Sequence, residues 1–523
     1  MSFALEPLPE TATPKDYLRL QFDPANVPSK RIVGLLACQR DPLLRLLSTR
    51  IISAKPAPIS AVPAQKGKGL KKKEKSSPST SGTATPVVEA QPEVAAGRLW
   101  EVELEDTVIF PEGGGQPSDM GYLHFSDPNG GTRSFRVEMC IRKKLESIHL
   151  VRVSAEDEAY LETVGKAVAE GEKVTIEVET DWERRVDQMT LHTAQHLLSA
   201  VLDTRSLPTL SWAMHAHPSL EPPYVELSRQ LTWKEAEEVE VECNRLIGEA
   251  KRIWIEVSVQ GDENGVDGDA ERESRGLPKD YAGGVIRHCC IDQTDRNACC
   301  GTQVPNLSLC SFLHVIPPSL APESTTPSKS ATKLFFTSGP RAARYLSSCS
   351  RELSSVAQAV QANRSNAAER AARSEELRKD AGAINGDLRR ELVRLLVETA
   401  GQDNVTWVHR DQRGTHDFEF LGLVAGGLMA LEGSEGRVAV LTSAVDGTPG
   451  GLLLVQSKDD KLAKEIKDKL AAAIDDLGGE GDKGKRVRGG GAKGRYMSKI
   501  EGKFGKRERV AVARVIDSLK QEA

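Results

Sequence analysis

DQMTLHTAQHLLSAVLD, residues 187–203, is the stretch on which the reading of this chain turns. Met189, Leu197, Leu198 and Val201 recur at helical spacing and form an apolar stripe, which predicts a helix. His192 and His196 fall at i and i+4, one above the other on a single face, where both imidazoles can reach one ion. About a hundred residues later comes Asn297-Ala-Cys299-Cys300-Gly301-Thr302-Gln303. A thiolate from such a loop supplies a third ligand, and borderline-soft nitrogen and sulfur donors favour Zn²⁺. An isolated histidine pair is more often an accident of surface or core; the cysteine cluster moves the balance to a metal site. A zincin protease is excluded, because Thr193 stands where that chemistry needs a glutamate. Gln303 falls where a fourth ligand is expected, although a neutral amide oxygen is a poor zinc donor. Cys300, His288 or a water are the alternatives, and the strand-like run His288-Cys289-Cys290 lets only alternate side chains point one way.

Outward from this stretch, the composition sets bounds. The 523 residues allow about three to five domains. A net charge of −5 gives no strong overall field, so a polyanion site has to come from a local cluster. Mean hydropathy is −0.38, and no apolar run approaches the roughly 20 residues of a membrane helix. The acidic, proline-bearing start has no apolar core of a signal peptide. Five of the nine cysteines (Cys289, Cys290, Cys299, Cys300, Cys310) lie close together, which suits reduced thiols and metal binding in a cytoplasmic protein.

The predicted organisation is an α+β multidomain fold. Residues 1–31 read as a tail. Residues 32–180 form an N-terminal β-barrel-like domain, with strands at Leu99–Leu104, Asp106–Phe110, Phe135–Met139, Ile148–Val153 and Lys173–Val178 and few helical patterns between them. Inside it, residues 54–97 are rich in Lys, Pro, Ser and Thr and predict a disordered insertion, with Lys71-Lys72-Lys73-Glu74-Lys75 as a solvated linker. Residues 181–340 are an α+β core with a second helix at Trp233–Ala250 capped by Thr232 and a linker at Ala321–Ser330. Residues 341–400 predict a helical hairpin, and 401–523 a C-terminal α/β domain.

Two further motifs carry chemistry. Phe110-Pro-Glu-Gly113-Gly114-Gly115-Gln116-Pro117-Ser118-Asp119 places three glycines after a strand, where another backbone can come close. Bare glycines favour a tight turn; Gln116 and Asp119 add reach toward a polar partner. Lys485-Arg486-Val-Arg488-Gly489-Gly490-Gly491-Ala-Lys493-Gly494-Arg495-Tyr496 sets cations around glycines, which suits a sugar-phosphate backbone better than a featureless basic loop.

These motifs, in this order, resemble the editing half of alanyl-tRNA synthetase, and still more its free-standing relatives, the long alanyl-tRNA editing proteins. Leu36-Ala37-Cys38-Gln39-Arg40-Asp41, Asp181-Trp-Glu-Arg184-Arg185 and Asp295-Arg-Asn agree, so the likeness runs from about residue 32 to the end. It implies a deacylase that hydrolyses the ester of mischarged tRNA(Ala), Ser-tRNA(Ala) before the glycyl ester, at one Zn²⁺ per chain. It implies His192, His196, Cys299 and position 303 as metal ligands, Thr107, Gly114, Gln116 and Thr302 around the substrate, and Lys485, Arg488, Lys493 and Arg495 against tRNA. No general base is implied, and no charging activity. The chain departs from the family at Gln303, where relatives carry histidine, and at Gln188. Two expectations therefore stand side by side: a working deacylase, or a silent tRNA-binding or partner-binding protein with a lost metal. A homodimer through the C-terminal half is one use for the helical segment, which otherwise holds the two ends apart.

Overall fold

The computed structural model describes residues 5–23, 32–58, 97–126, 131–260, 280–316, 330–400, 403–445, 448–477 and 485–522. The chain divides into two units, Met1–Glu352 and Leu353–Ala523. Most of the insertion, with its lysine run, and most of the Ala321–Ser330 linker fall outside the described residues.

The first unit begins with β1 (Leu18–Leu20), which pairs in parallel with a later strand. This corrects the tail expectation for residues 5–23. Tyr17 is buried and the strand extends a sheet, so apolar burial holds this segment. After a short helix α1 (Ala37–Arg40) come β2 (Leu46–Pro56), β3 (Arg98–Leu104), β4 (Gly121–Ser126), β5 (Thr132–Lys143), β6 (Glu146–Val153), helix α2 (Ala155–Ala169) and β7 (Thr175–Thr180). The strands close in the order β2-β3-β6-β5-β4-β7, all antiparallel, into the expected barrel, which leaves no open edge. Alternate side chains such as Trp100, Val102, Val137 and Val178 fill it. Two details differ from the sequence reading. The helix α2 lies inside the region read as mostly β, and Tyr160 on it packs edge-on against Phe125. Asp106–Phe110 is not a strand. Its amide donors go to side chains instead: Asp106 N–H to Thr49 Oγ1, Thr107 N–H to Asp106 Oδ1, Ile109 N–H to Thr107 Oγ1 and Phe110 N–H to Asp119 Oδ2.

Helix α3 (Trp182–Asp203) starts at Asp181, whose carboxylate accepts the Arg184 N–H. The sequence pattern marked one apolar stripe, yet every side chain from Asp187 to Leu202 is buried. Its polar members survive burial by pairing. Asp187 meets Arg341, both fully enclosed, and Arg344 binds the second carboxylate oxygen at 2.7 Å. Around α3 lie β8 (Ser211–Ala213), β9 (Tyr224–Leu227), α4 (Trp233–Gly248, with the Thr232–Glu235 capping box), β10 (Ile253–Val259), β11 (Val285–Ile291), β12 (Asp295–Ala298), β13 (Leu313–Val315) and β14 (Thr332–Ser338). They form two four-stranded sheets, β1-β10-β11-β12 and β13-β14-β9-β8.

Helix α5 (Gly339–Ala359) follows β14 and supplies Arg341 and Arg344. Helix α6 (Ala367–Thr399) follows after a short 3₁₀ turn at Arg364–Asn366, so two helices occupy the segment where a helical hairpin was expected. Along most of its length α6 has exposed side chains, including Leu377, Ile384 and Leu388, while Leu392 and Leu396 pack toward the next helix. The remainder mixes strands and helices: β15 (Val405–Arg410), α7 (Phe418–Ala430), β16 (Val438–Ser443), β17 (Gly451–Ser457), α8 (Asp460–Asp475), β18 (Val487–Ala492), β19 (Arg495–Ile500) and α9 (Lys506–Glu522). Its sheet runs β15-β16-β17-β19-β18, and only β15–β16 is parallel, joined through α7 as a βαβ crossover. Val438 and Val440 face α8 and α9, whereas Ala439 and Leu441 face α7.

Candidate metal centre

The two imidazoles come from one turn of α3, with ring centroids 5.3 Å apart and planes within 20°. The thiol arrives from the chain leaving β12, fixed there by Cys299 N–H to Arg287 O at 2.9 Å. The β11–β12 hairpin thus lays Cys299 across the helix, with its Sγ 3.5 Å from His192 Nε2, although 107 residues separate the two. The donor atoms of His192, His196 and Cys299 all lie within 4.8 Å of one another, and all three residues are buried.

Hydrogen bonds set which nitrogen each ring presents. Gln116 Oε1 accepts the Thr302 N–H (3.1 Å), which identifies that atom as the oxygen; His192 Nδ1, 2.9 Å from it, is therefore the protonated nitrogen. The Nε2 lone pair is left facing Cys299. Gln116 Nε2 in turn donates to Thr302 Oγ1 at 2.9 Å. On His196, Nδ1 lies 3.7 Å from Asp295 Oδ2, an ion-pair distance, and Asn297 donates to the other carboxylate oxygen at 2.6 Å. Burial opposes charge on both partners, yet Cys299 is drawn well below the usual thiol range by the two imidazoles. For His196, burial lowers its affinity for a proton, and the Cys299 sulfur and Asp295 outweigh that, raising it to about 10. Two imidazoles that each turn one nitrogen toward a thiolate are a donor set that fits a borderline-soft cation such as Zn²⁺.

The glycine motif forms the adjoining wall. Gly114 and Gly115 have φ of +60° and +83°. A Cβ on Gly114 would come within 2.6 Å of Cys300 Sγ, and one on Gly115 within 2.7 Å of the Trp212 ring. Trp212 stands between this turn and His192, 4.7 Å from the imidazole centroid. Gly301 is required by contact: a Cβ there would meet His192 at 2.3 Å. Asp119, read as reaching a polar partner, is bound inside the protein by Arg185 of α3, both at zero exposure.

Several expected site residues are placed differently. Gln303 reaches the cluster, but its Nε2 faces Cys299 Sγ at 3.1 Å and its Oε1 accepts from Thr193 Oγ1 at 2.7 Å. Gln116 bonds to Thr302 at both ends of its amide and to His192 Nδ1, so it orients the ring. Thr107 is inside the barrel, its hydroxyl 2.9 Å from His149 Nε2. Gln188 donates to Pro117 O at 3.3 Å. His288 is buried on β11 outside the cluster. Tyr17, Gln39, Trp212 and Asp295 were missed or unassigned: the Tyr17 hydroxyl donates to Gln303 O (2.8 Å) and Gln39 Nε2 to Cys300 O (2.7 Å), pinning the cysteine loop. Nothing at Tyr17 or Trp212 distinguishes them in sequence from ordinary core aromatics.

The basic motif is a hairpin, not a loop. Lys493 and Gly494, at φ +56° and +79°, make the two-residue turn between β18 and β19. Gly489 and Gly491 are required by the partner strand, since a Cβ would lie 2.2 and 1.9 Å from its carbonyls. Tyr496 bonds to Asp460 (3.0 Å) and is buried, so it is no stacking platform. Lys485, Arg488, Lys493 and Arg495 are exposed; Arg488 also pairs with Glu501 at 3.2 Å, and Arg495 lies over Gly422 of α7.

No family model matches the chain. Curated relatives do. It is 34% identical over 267 residues to a Saccharomyces cerevisiae protein provisionally named alanyl-tRNA editing protein alaX, covering 49% of this chain and 54% of that one. The alanyl-tRNA editing protein Aarsd1 of Rattus norvegicus is 28% identical over 471 residues, 88% of this chain and 93% of its own. The chain is a homologue of the alanyl-tRNA editing proteins. For Aarsd1 of Danio rerio the figures are 33% over 250 residues, 47% and 51%. The chain thus spans about half the length of the first curated relatives it matches, and nearly all of the rat homologue. Among the described residues no helix of this homologue is long and apolar enough to cross a membrane.

Proposed function

We propose that this chain deacylates mischarged tRNA(Ala), above all Ser-tRNA(Ala), at a Zn²⁺ held by His192, His196 and Cys299. The observation that carries the reading is the convergence of two imidazoles and a thiol, distant in sequence, in a homologue of proteins named for alanyl-tRNA editing. A site shaped for alanine cannot strongly reject serine, since an added hydroxyl costs an apolar pocket little; a second site that bonds the hydroxyl discriminates far better. A bound Zn²⁺ supplies Lewis-acid polarisation and a nucleophilic water near neutral pH.

The residues of the chain supply positioning. Gln116 keeps the proton on His192 Nδ1, and Asp295 lies on the Nδ1 side of His196. Trp212 and the Gly113–Gly115 turn wall the site on the His192 side. The aminoacyl ester is already activated, so placement of its carbonyl contributes much of the rate. The exposed cations of the β18–β19 hairpin, Lys485, Arg488, Lys493 and Arg495, are the proposed contacts to the tRNA backbone. Metal analysis of the purified chain, paired with deacylation of Ser-tRNA(Ala) and Ala-tRNA(Ala), tests this. One zinc per chain and selective release of serine are expected. A metal-free protein that leaves the seryl ester intact overturns the proposal in favour of a silent tRNA-binding or partner-binding protein.

A further inference from the structure

We infer that Gln303 serves Cys299 as a hydrogen-bond donor and is not itself a metal ligand, so that three side chains hold the cation and a fourth position stays open to water or substrate. The inference rests on the metal reading above and deepens it. A ligating cysteine is a thiolate, which only accepts hydrogen bonds, so the amide atom 3.1 Å from its sulfur has to be the N–H side. An amide nitrogen carrying two protons has no lone pair for a cation. The oxygen end has a partner as well: Thr193 Oγ1, which receives the Val304 N–H at 3.1 Å, has its one proton shared between Gln303 Oε1 at 2.7 Å and the helix carbonyl Met189 O at 3.0 Å, and the shorter contact is to the glutamine. Gln303 has no exposed surface, and the Tyr17 hydroxyl fixes its main-chain carbonyl. Turning the amide over would set its oxygen against the sulfur lone pairs at a position closed to bulk solvent.

The other candidates for the fourth corner face elsewhere. Asp295 sits on the Nδ1 side of His196, and Cys300 Sγ packs against Gly114. Among the described residues no further His, Cys, Asp or Glu joins the group. Three protein ligands with one exchangeable position is the arrangement of zinc sites that react; four closed ligands is that of sites that only support structure. The N–H bond to sulfur withdraws charge from the thiolate and leaves the cation more electrophilic.

Cobalt substitution reads this without any turnover. Metal-free protein is loaded with Co²⁺ and titrated with azide. The wild-type d–d bands are expected to change as azide enters the open position, and Gln303→His, which offers a fourth imidazole, is expected to lose that response. Gln303→Leu, which cannot ligate, keeps the azide response and moves the sulfur-to-cobalt charge-transfer band to lower energy. A wild-type cobalt site indifferent to azide, or a charge-transfer band unmoved in Gln303→Leu, overturns the inference and leaves the metal reading standing. Failure of wild-type protein to take up cobalt at all overturns both.

Discussion

His149 in the barrel and His196 on α3 are both buried, at 0% and 7% exposure, yet their surroundings drive them in opposite directions. His149 is pressed down to about 4 by burial, which outweighs the support its ring receives from the Val102 carbonyl, and its other nitrogen faces the Thr107 hydroxyl, which carries no charge. His196 meets a sulfur and a carboxylate, and despite its burial it rises to about 10. Burial alone therefore says nothing about function. The ionisable partner decides whether an enclosed imidazole is a strut or a reagent.

Removing the partner is the sharpest way to break that contrast. Cys299→Ala deletes a proposed ligand, so zinc affinity should fall beyond the roughly 10–100-fold that loss of an outer hydrogen bond costs, with deacylation lost alongside. Zinc binding by calorimetry checks it, and an affinity within threefold of wild type would make the cluster an ordinary core contact. The barrel histidine predicts a pH effect instead. The unfolded chain protonates His149 near 6.5, the folded chain only near 4, so the unfolded state binds more protons between those values. Stability from this group is present above pH 6.5 and lost as pH falls toward 4, about 3 kcal/mol in all. His149→Phe should lose that acid-side slope in denaturant titrations while zinc binding is unchanged; a slope that persists would place the acid sensitivity elsewhere. Gln116→Leu, which frees the His192 tautomer but removes no ligand, should lower zinc affinity by about 10–100-fold. An effect as large as that of Cys299→Ala would make Gln116 more than an orienting group.

The helix that bears His192 and His196 and the barrel strands β3, β5, β6 and β7 were legible in the sequence, because each obeys a short period, whereas the βαβ start of the C-terminal sheet was covered only by a general expectation of mixed strands and helices. The break at Asp106–Phe110 was not legible, since alternation alone does not reveal that Thr49, Asp106, Thr107 and Asp119 side chains take over the backbone donors. The N-terminal segment hid for a related reason: three residues of β1 carry too little pattern to signal a strand that exists only beside β10. The glycines of the basic hairpin matched a phosphate-binding expectation, yet at Gly489 and Gly491 the partner strand already requires them.

Within the candidate site, residue type and helical spacing determined that His192 and His196 share a face, and that a nearby thiol suits the same cation. Closure of the chain decided the rest. Gln116 holds His192 across 76 residues, and Tyr17 holds Gln303 across 286. Whether Gln303 turns oxygen or nitrogen toward the sulfur depends on Thr193 and Val304 standing where they do. Periodicity is a property of neighbours along the backbone, whereas the direction of a buried hydrogen bond is set by partners that folding alone brings within 3 Å or so.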